Sequence, residues 1–88
     1  MSNRSKLKWQ CRRGMRELDL VLEAFLESHY DRLTPEAQAD FEHLLAQSNQ
    51  NLVDWLMAGV EPESEPLARI AIQIREVCVG TTRALLTP

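Results

Sequence analysis

Glu17-Leu18-Asp19-Leu20-Val21-Leu22-Glu23-Ala24-Phe25-Leu26-Glu27-Ser28-His29-Tyr30 decides the fold class of this 88-residue chain. Leu18, Val21, Leu22, Phe25 and Leu26 recur at the i, i+3, i+4, i+7, i+8 spacing of one apolar stripe along an α-helix, and Glu17, Asp19, Glu23 and Glu27 fall off it. A second helix is announced by Thr34-Pro35-Glu36: a hydroxyl N-cap, a proline where the first turn has no use for an amide, and an acid at the positive end of the helix dipole. It is predicted to run to Gln47 with Ala37, Phe41, Leu44 and Leu45 inside. Ser48-Asn49-Gln50-Asn51 breaks that helix and caps a short third one around Leu52, Val53 and Leu56, with Trp55 beside them and Gly59 at an αL C-cap. Phe41 and Trp55 are both expected in the core.

Further out, Glu61-Pro62-Glu63-Ser64-Glu65-Pro66 reads as an exposed linker. Leu67, Ile70, Ala71, Ile74, Val77 and Cys78 then restore helical spacing up to Gly80. The alternation of Ile70, Ile72 and Ile74 would also suit a strand, but no second strand candidate exists to pair with it, which decides for a helix. Residues 1–7 are polar and expected to fray, with one helical turn around Leu7 to Gln10, and residues 81–88 are left as an unassigned tail. The prediction is an all-α fold, a small bundle of four to five short helices forming one domain over residues 1–88.

Composition narrows the function. No apolar run approaches the roughly 20 residues of a membrane span, and no signal-peptide apolar region follows the basic start, so a cytoplasmic protein without membrane insertion is expected. Cys11 and Cys78 are then two reduced thiols, each read as a small buried hydrophobe, although Arg12 and Arg13 would lower the Cys11 pKa if it were exposed. His29 and His43 have no cysteine at a metal-binding spacing, and there is no phosphate-cradling glycine loop or catalytic triad pattern, so no metal site and no enzyme activity are expected.

Charge is segregated. Residues 1–16 hold Arg4, Lys6, Lys8, Arg12, Arg13 and Arg16 and no acid, whereas residues 17–66 hold twelve acids against Arg32 alone. The basic start could serve as a nucleic-acid arm, but the acidic middle would repel the same phosphates, and no helix after Arg16 offers a basic recognition face. No nucleic-acid partner is expected. The stretch from Lys8 to Asp19 is the most informative: Gly14 stands between clustered arginines just before the long helix, where it lets the backbone turn sharply or approach another surface. It can be a plain helix start with solvated arginines, or a protein-docking patch in which arginine forks and Trp9 act as anchors. In either case Arg13 and Glu17, four residues apart, are expected to be exposed and within reach of each other.

Arg13-Gly14-Met15-Arg16-Glu17-Leu18-Asp19, preceded by Trp9 and Arg12, resembles the R-G-x-x-E-L-D signature of the succinate dehydrogenase flavinylation-factor family, whose members are also labelled antitoxin CptB-like. Asn51-Leu52-Val53-Asp54-Trp55-Leu56-Met57 is similar to the later Trp-Leu block of that family; the likeness is good over residues 8–58 and weak beyond, and Asn49-Gln50 stands where relatives often carry Asp-Pro. The resemblance implies a five-helix assembly factor that binds the flavoprotein subunit of succinate dehydrogenase, and in bacteria that of fumarate reductase, and promotes covalent attachment of FAD to a histidine there. It implies partner-binding residues at Arg13, Gly14 and Glu17, with Trp9, Arg12, Arg16 and Asp19 as neighbours. FAD would belong to the flavoprotein, with none held stably by this chain, which is expected to be a monomer. An antitoxin-like or other helical adaptor is the alternative. Gly14 is expected to matter for docking and not for folding.

Overall fold

The stripe on residues 18–26 becomes the middle of the molecule. The computed structural model describes the backbone of residues 3–86 and the side chains of residues 5–77. Helix α1 spans Asn3–Gln10, α2 Arg16–His29, α3 Pro35–Leu45, α4 Asn49–Leu56 and α5 Glu65–Leu86, with a 3-10 turn at Tyr30–Arg32 after α2. The described residues contain no strand.

The caps explain the boundaries. Thr34 Oγ1 accepts from the Ala37 amide at 3.1 Å, with Pro35 in the first turn of α3. Ser48 Oγ does the same for the Asn51 amide at 3.2 Å and starts α4. At the other end of α4, Gly59 takes φ +75°, and the chain folds back so that the Val60 amide reaches the Asp54 carbonyl at 2.8 Å. Each of these three points follows the sequence expectation.

Helix α5 lies against α2, α3 and α4, and α1 closes over α2 and α3. The core is built from Leu18, Val21, Leu22, Phe25 and Leu26 of α2, Phe41, Leu44 and Leu45 of α3, Leu52 and Leu56 of α4, and Leu67, Ile70, Ala71 and Ile74 of α5. Phe41 sits 5.4 Å from the Phe25 ring and 5.7 Å from Tyr30, in the tilted geometry aromatic rings favour, and His29 stacks on the outer side of Phe25 at 5.6 Å. Exposed Ile72 beside buried Ile70 and Ile74 is what a helix requires and an alternating strand forbids.

Five expectations are corrected. Helix was expected only from Leu7, but α1 begins at Asn3, and Leu7 and Cys11, one turn apart and both fully buried, anchor it. Trp55 is only partly buried and packs at the rim of the core, since in so short a helix Leu52 and Leu56 take the inward face. Ala37 is likewise partly buried. Pro62, expected in an exposed linker, is buried: its ring is apolar and brings no amide that needs a partner. Helix α5 starts two residues before Leu67, with Pro66 tolerated in the first turn, and continues past Gly80 to Leu86. The expectation that Cys78 is buried lies outside the described side chains.

Phe41→Ala removes the ring that two other aromatics pack against, and is expected to cost about 3 to 5 kcal/mol, against about 1 kcal/mol or less for Ile72→Ala on the solvent side. Urea unfolding of the two variants measures the difference.

Candidate functional site

The turn between α1 and α2 is held by hydrogen bonds at nearly every residue. The Cys11 amide donates to the Leu7 and Lys8 carbonyls at 3.0 and 3.2 Å and the Arg12 amide to Trp9 at 3.1 Å, which tightens the end of α1. Gly14 then takes φ +81°, a left-handed conformation that L side chains rarely adopt, and Met15 is extended; this corrects the expectation that Gly14 matters for docking and not for folding, because any side chain there strains the turn. Met15 offers α2 no side-chain cap. Asp19 compensates from inside the first turn: its Oδ1 accepts from the Arg13 amide at 2.7 Å while its own amide donates to the Met15 carbonyl at 2.8 Å.

The Arg13 side chain turns into the fold. Its Nη1 donates to the Gln10 and Leu45 carbonyls at 3.2 and 2.8 Å, its Nη2 to the Gln47 carbonyl at 2.6 Å, and its Nε to Asn49 Oδ1 at 2.7 Å. Gln10 ends α1, Leu45 ends α3 and Asn49 opens α4, so one guanidinium joins three helix ends. The last carbonyls of a helix have no partner within it and carry the negative end of its dipole, which suits a cation with several donors. Asn49 returns a second bond, from Nδ2 to the Arg13 carbonyl at 3.4 Å.

This corrects the expected exposed Arg13–Glu17 pair. Arg13 is partly buried and bonded to α1, α3 and α4, and Asp19, also partly buried, faces the turn. Glu17 is exposed as expected, and so are Trp9, Arg12, Gly14 and Arg16, Trp9 to 73%. A Cβ placed on Gly14 would meet nothing within 4 Å, so the backbone there is open to an approaching surface. Beside it, Met15, the first residues of α2 (Arg16, Glu17 and Leu18) and Val53 and Met57 at α4 line an open groove of about 390 Å³. Asn49 is the residue sequence reasoning missed. The sequence offers it only as a cap, and the other acceptors of Arg13 are backbone carbonyls, which any residue could supply.

The segregated charge resolves locally. Lys8 lies 3.6 Å from Glu27 and Arg12 3.6 Å from Glu23, across an antiparallel pair of helices. Both pairs are largely solvated, and each is worth at most about 1 kcal/mol. Beneath them the Cys11 thiol is fully buried, and its pKa is pushed up from 9.0 to about 12, by burial first and then by Glu23, partly offset by Arg13, with a smaller rise from Asp19. The expectation for an exposed thiol lowered by neighbouring arginines therefore does not apply. Among the described residues no three His, Cys, Asp or Glu side chains are grouped to hold a metal ion, and no helix is long and apolar enough to cross a membrane. What the turn offers is a rigid, exposed patch of tryptophan, arginine, glutamate and bare glycine backbone.

Comparison with known proteins places that patch in context. Residues 5–78 match the family described as flavinator of succinate dehydrogenase. A FAD assembly factor SdhE of Legionella pneumophila (strain Lens) is 51% identical over 69 residues, covering 76% of this chain and 87% of the relative. The protein of the same name from Coxiella burnetii is 42% identical over 72 residues (82% and 88%), and that from Yersinia pseudotuberculosis 39% over 82 residues (91% and 93%). No solved structure matches.

Two outcomes follow from the geometry. Arg13→Ala strands the Leu45 and Gln47 carbonyls and is expected to destabilise the fold by about 2 kcal/mol or more, whereas Arg16→Ala stays within about 0.5 kcal/mol of the parent in urea unfolding. For Cys11, folded and unfolded chains both keep the proton below pH 9.0, and from there to about 12 the unfolded chain loses it first. Stability from this group is therefore full below that window and falls as pH rises through it, by up to about 1.4 kcal/mol per pH unit. Unfolding curves at pH 8 and pH 10 should diverge for the parent and converge for Cys11→Ala.

Proposed function

Because the chain belongs to the family of succinate dehydrogenase flavinators, we propose that it binds the flavoprotein subunit of succinate dehydrogenase, and that of fumarate reductase, and promotes covalent attachment of FAD there. It acts as a monomer in the cytoplasm, and FAD stays with the flavoprotein throughout. The observation that carries this reading is Gly14: left-handed backbone with open space where a side chain would stand, at the tip of a turn whose neighbours Trp9, Arg12, Arg16 and Glu17 are all exposed. Such a tip admits close approach by a second protein, and exposed tryptophan and arginine are the side chains that most often anchor an interface.

Bond formation takes place between a histidine and the flavin, both supplied by the partner, and it needs the two held in a near-attack geometry. This chain contributes binding energy. A protein that prefers the competent arrangement of the flavoprotein raises its population by the ratio of its affinities for the two states, without taking part in the bond. Arg12, Arg16 and Glu17 would meet opposite charges on the partner, where a desolvated, paired charge costs about 2 to 5 kcal/mol when truncated.

In-gel fluorescence of covalent flavin in cells lacking the endogenous factor tests the reading. Glu17→Ala is expected to lower covalent flavin severalfold with little change in melting temperature. Gly14→Arg should abolish it and, because of the positive φ, also cost about 1 to 2 kcal/mol of stability. Gly14→Asn, a residue that tolerates left-handed backbone, separates the two effects by adding bulk with less strain. Wild-type flavinylation by Gly14→Asn and Glu17→Ala together would exclude this surface as the docking site.

A further inference from the structure

We infer that Arg13 and Asn49 form a positioning pair: they hold the backbone on either side of Gly14 in the one shape a partner can meet, and the Arg13 guanidinium faces the fold and not the flavoprotein. The inference rests on the docking reading above and changes what the arginine of the signature is for. Asn49 takes the Nε of Arg13 at 2.7 Å and gives its own amide to the Arg13 carbonyl at 3.4 Å, so one side chain grips both the side chain and the main chain of the residue before Gly14. The Arg13 amide is held from the opposite side by Asp19 at 2.7 Å. The peptide units entering Gly14 are thus fixed by α2 on one face and α4 on the other.

That grip matters because of what it restrains. A glycine populates positive and negative φ about equally when free, and the open space around Gly14 leaves packing no part in the choice. The hydrogen bonds of its neighbours make the choice instead. Four of the five N–H groups of the guanidinium are already bonded, so a contact to a partner through more than the one remaining Nη2–H would first have to break its bonds to the Gln10, Leu45 or Gln47 carbonyls and uncap a helix end. Holding a docking loop in its bound conformation raises affinity by removing the ordering cost from the binding step. Asn49 lies 36 residues from Arg13 in sequence and outside the Arg13–Asp19 signature, which makes it the discriminating position.

The test measures binding of the purified flavoprotein subunit to the parent, Asn49→Ala, Asn49→Asp, Arg13→Ala and the double variant Arg13→Ala/Asn49→Ala. All are compared at a temperature where circular dichroism shows each one folded. Hydrogen exchange of the Arg13 and Asp19 amides, both bonded within the turn, is followed in the same samples. Positioning requires Asn49→Ala to bind about tenfold more weakly and to exchange faster at both amides. Asn49→Asp, which keeps the acceptor for Nε but loses the donor to the Arg13 carbonyl, should fall between the parent and Asn49→Ala, and the double variant should bind no worse than Arg13→Ala alone, since both changes undo one device. Parent-like binding by Asn49→Ala beside loss of binding by Arg13→Ala would make Arg13 a direct contact and overturn the inference, as would unchanged exchange in Asn49→Ala and Arg13→Ala. If the parent itself fails to bind the flavoprotein, the docking reading falls, and the exchange rates alone decide the pair: faster in Asn49→Ala sustains it, unchanged refutes it.

Discussion

With its guanidinium spread over the carbonyls of Gln10, Leu45 and Gln47 and the side chain of Asn49, Arg13 ties α1, α3 and α4 together at the point where their ends converge. A chain of 88 residues buries a modest core, and the ends of short helices lie close to its rim, where their unpaired carbonyls are neither fully hydrated nor bonded to one another. A cation with a planar fork of donors answers several of them at once. Lysine could not, because its single ammonium has no fixed fork to span two helix ends. The same bonds place the backbone immediately after Arg13, so the shape of the exposed turn follows from how the interior closes.

The lopsided charge has a similar origin. Lys8 and Arg12 stand opposite Glu27 and Glu23, so the basic start lies along the acidic face of α2 as one side of a helical pair. Those pairs are too solvated to hold α1 in place. Leu7 and Cys11 do that, and the charges above them set orientation more than stability. Part of the basic start is thus paired within the fold, through Lys8 and Arg12, which weakens any reading of residues 1–16 as a free basic arm.

The elements were legible where the signal is periodic or local. The α2 stripe, the Thr34-Pro35 cap, the Ser48 cap and the Gly59 reversal rest on residue types within one helical turn of each other, and each has the form expected. The start of α1 was hidden because its anchoring depends on two residues, Leu7 and Cys11, in a polar stretch with no stripe to reveal them. Gly80 misled for a different reason. Glycine weakens a helix interior by only about 1 kcal/mol, and α5 runs through it to Leu86. At the candidate site the signature falls on the turn between α1 and α2, but residue type alone could not separate side chains that face out from those that face in. An arginine and an aspartate beside a glycine look like surface chemistry until the acceptors are seen, and for the Arg13 guanidinium three of the four are main-chain carbonyls, two of them from residues more than thirty positions away.

That division of labour is a consequence of size. Nothing in a bundle this small is far from both the core and the surface, so a docking turn cannot be supported by a separate layer of structure beneath it. The signature supplies its own support instead: Arg13 and Asp19 face inward and fix the turn, while Gly14 and Glu17, interleaved with them, remain outside. The spacing follows from geometry. Glu17 and Asp19 lie two apart at the start of α2, about 200° around the helix axis, which puts one toward solvent and the other back toward the turn. A glycine at Gly14 reverses the chain so that the Asp19 carboxylate reaches the Arg13 amide. Losing any one inward residue would leave the outward ones chemically intact and wrongly placed, so a change in binding at such a surface does not by itself identify a contact.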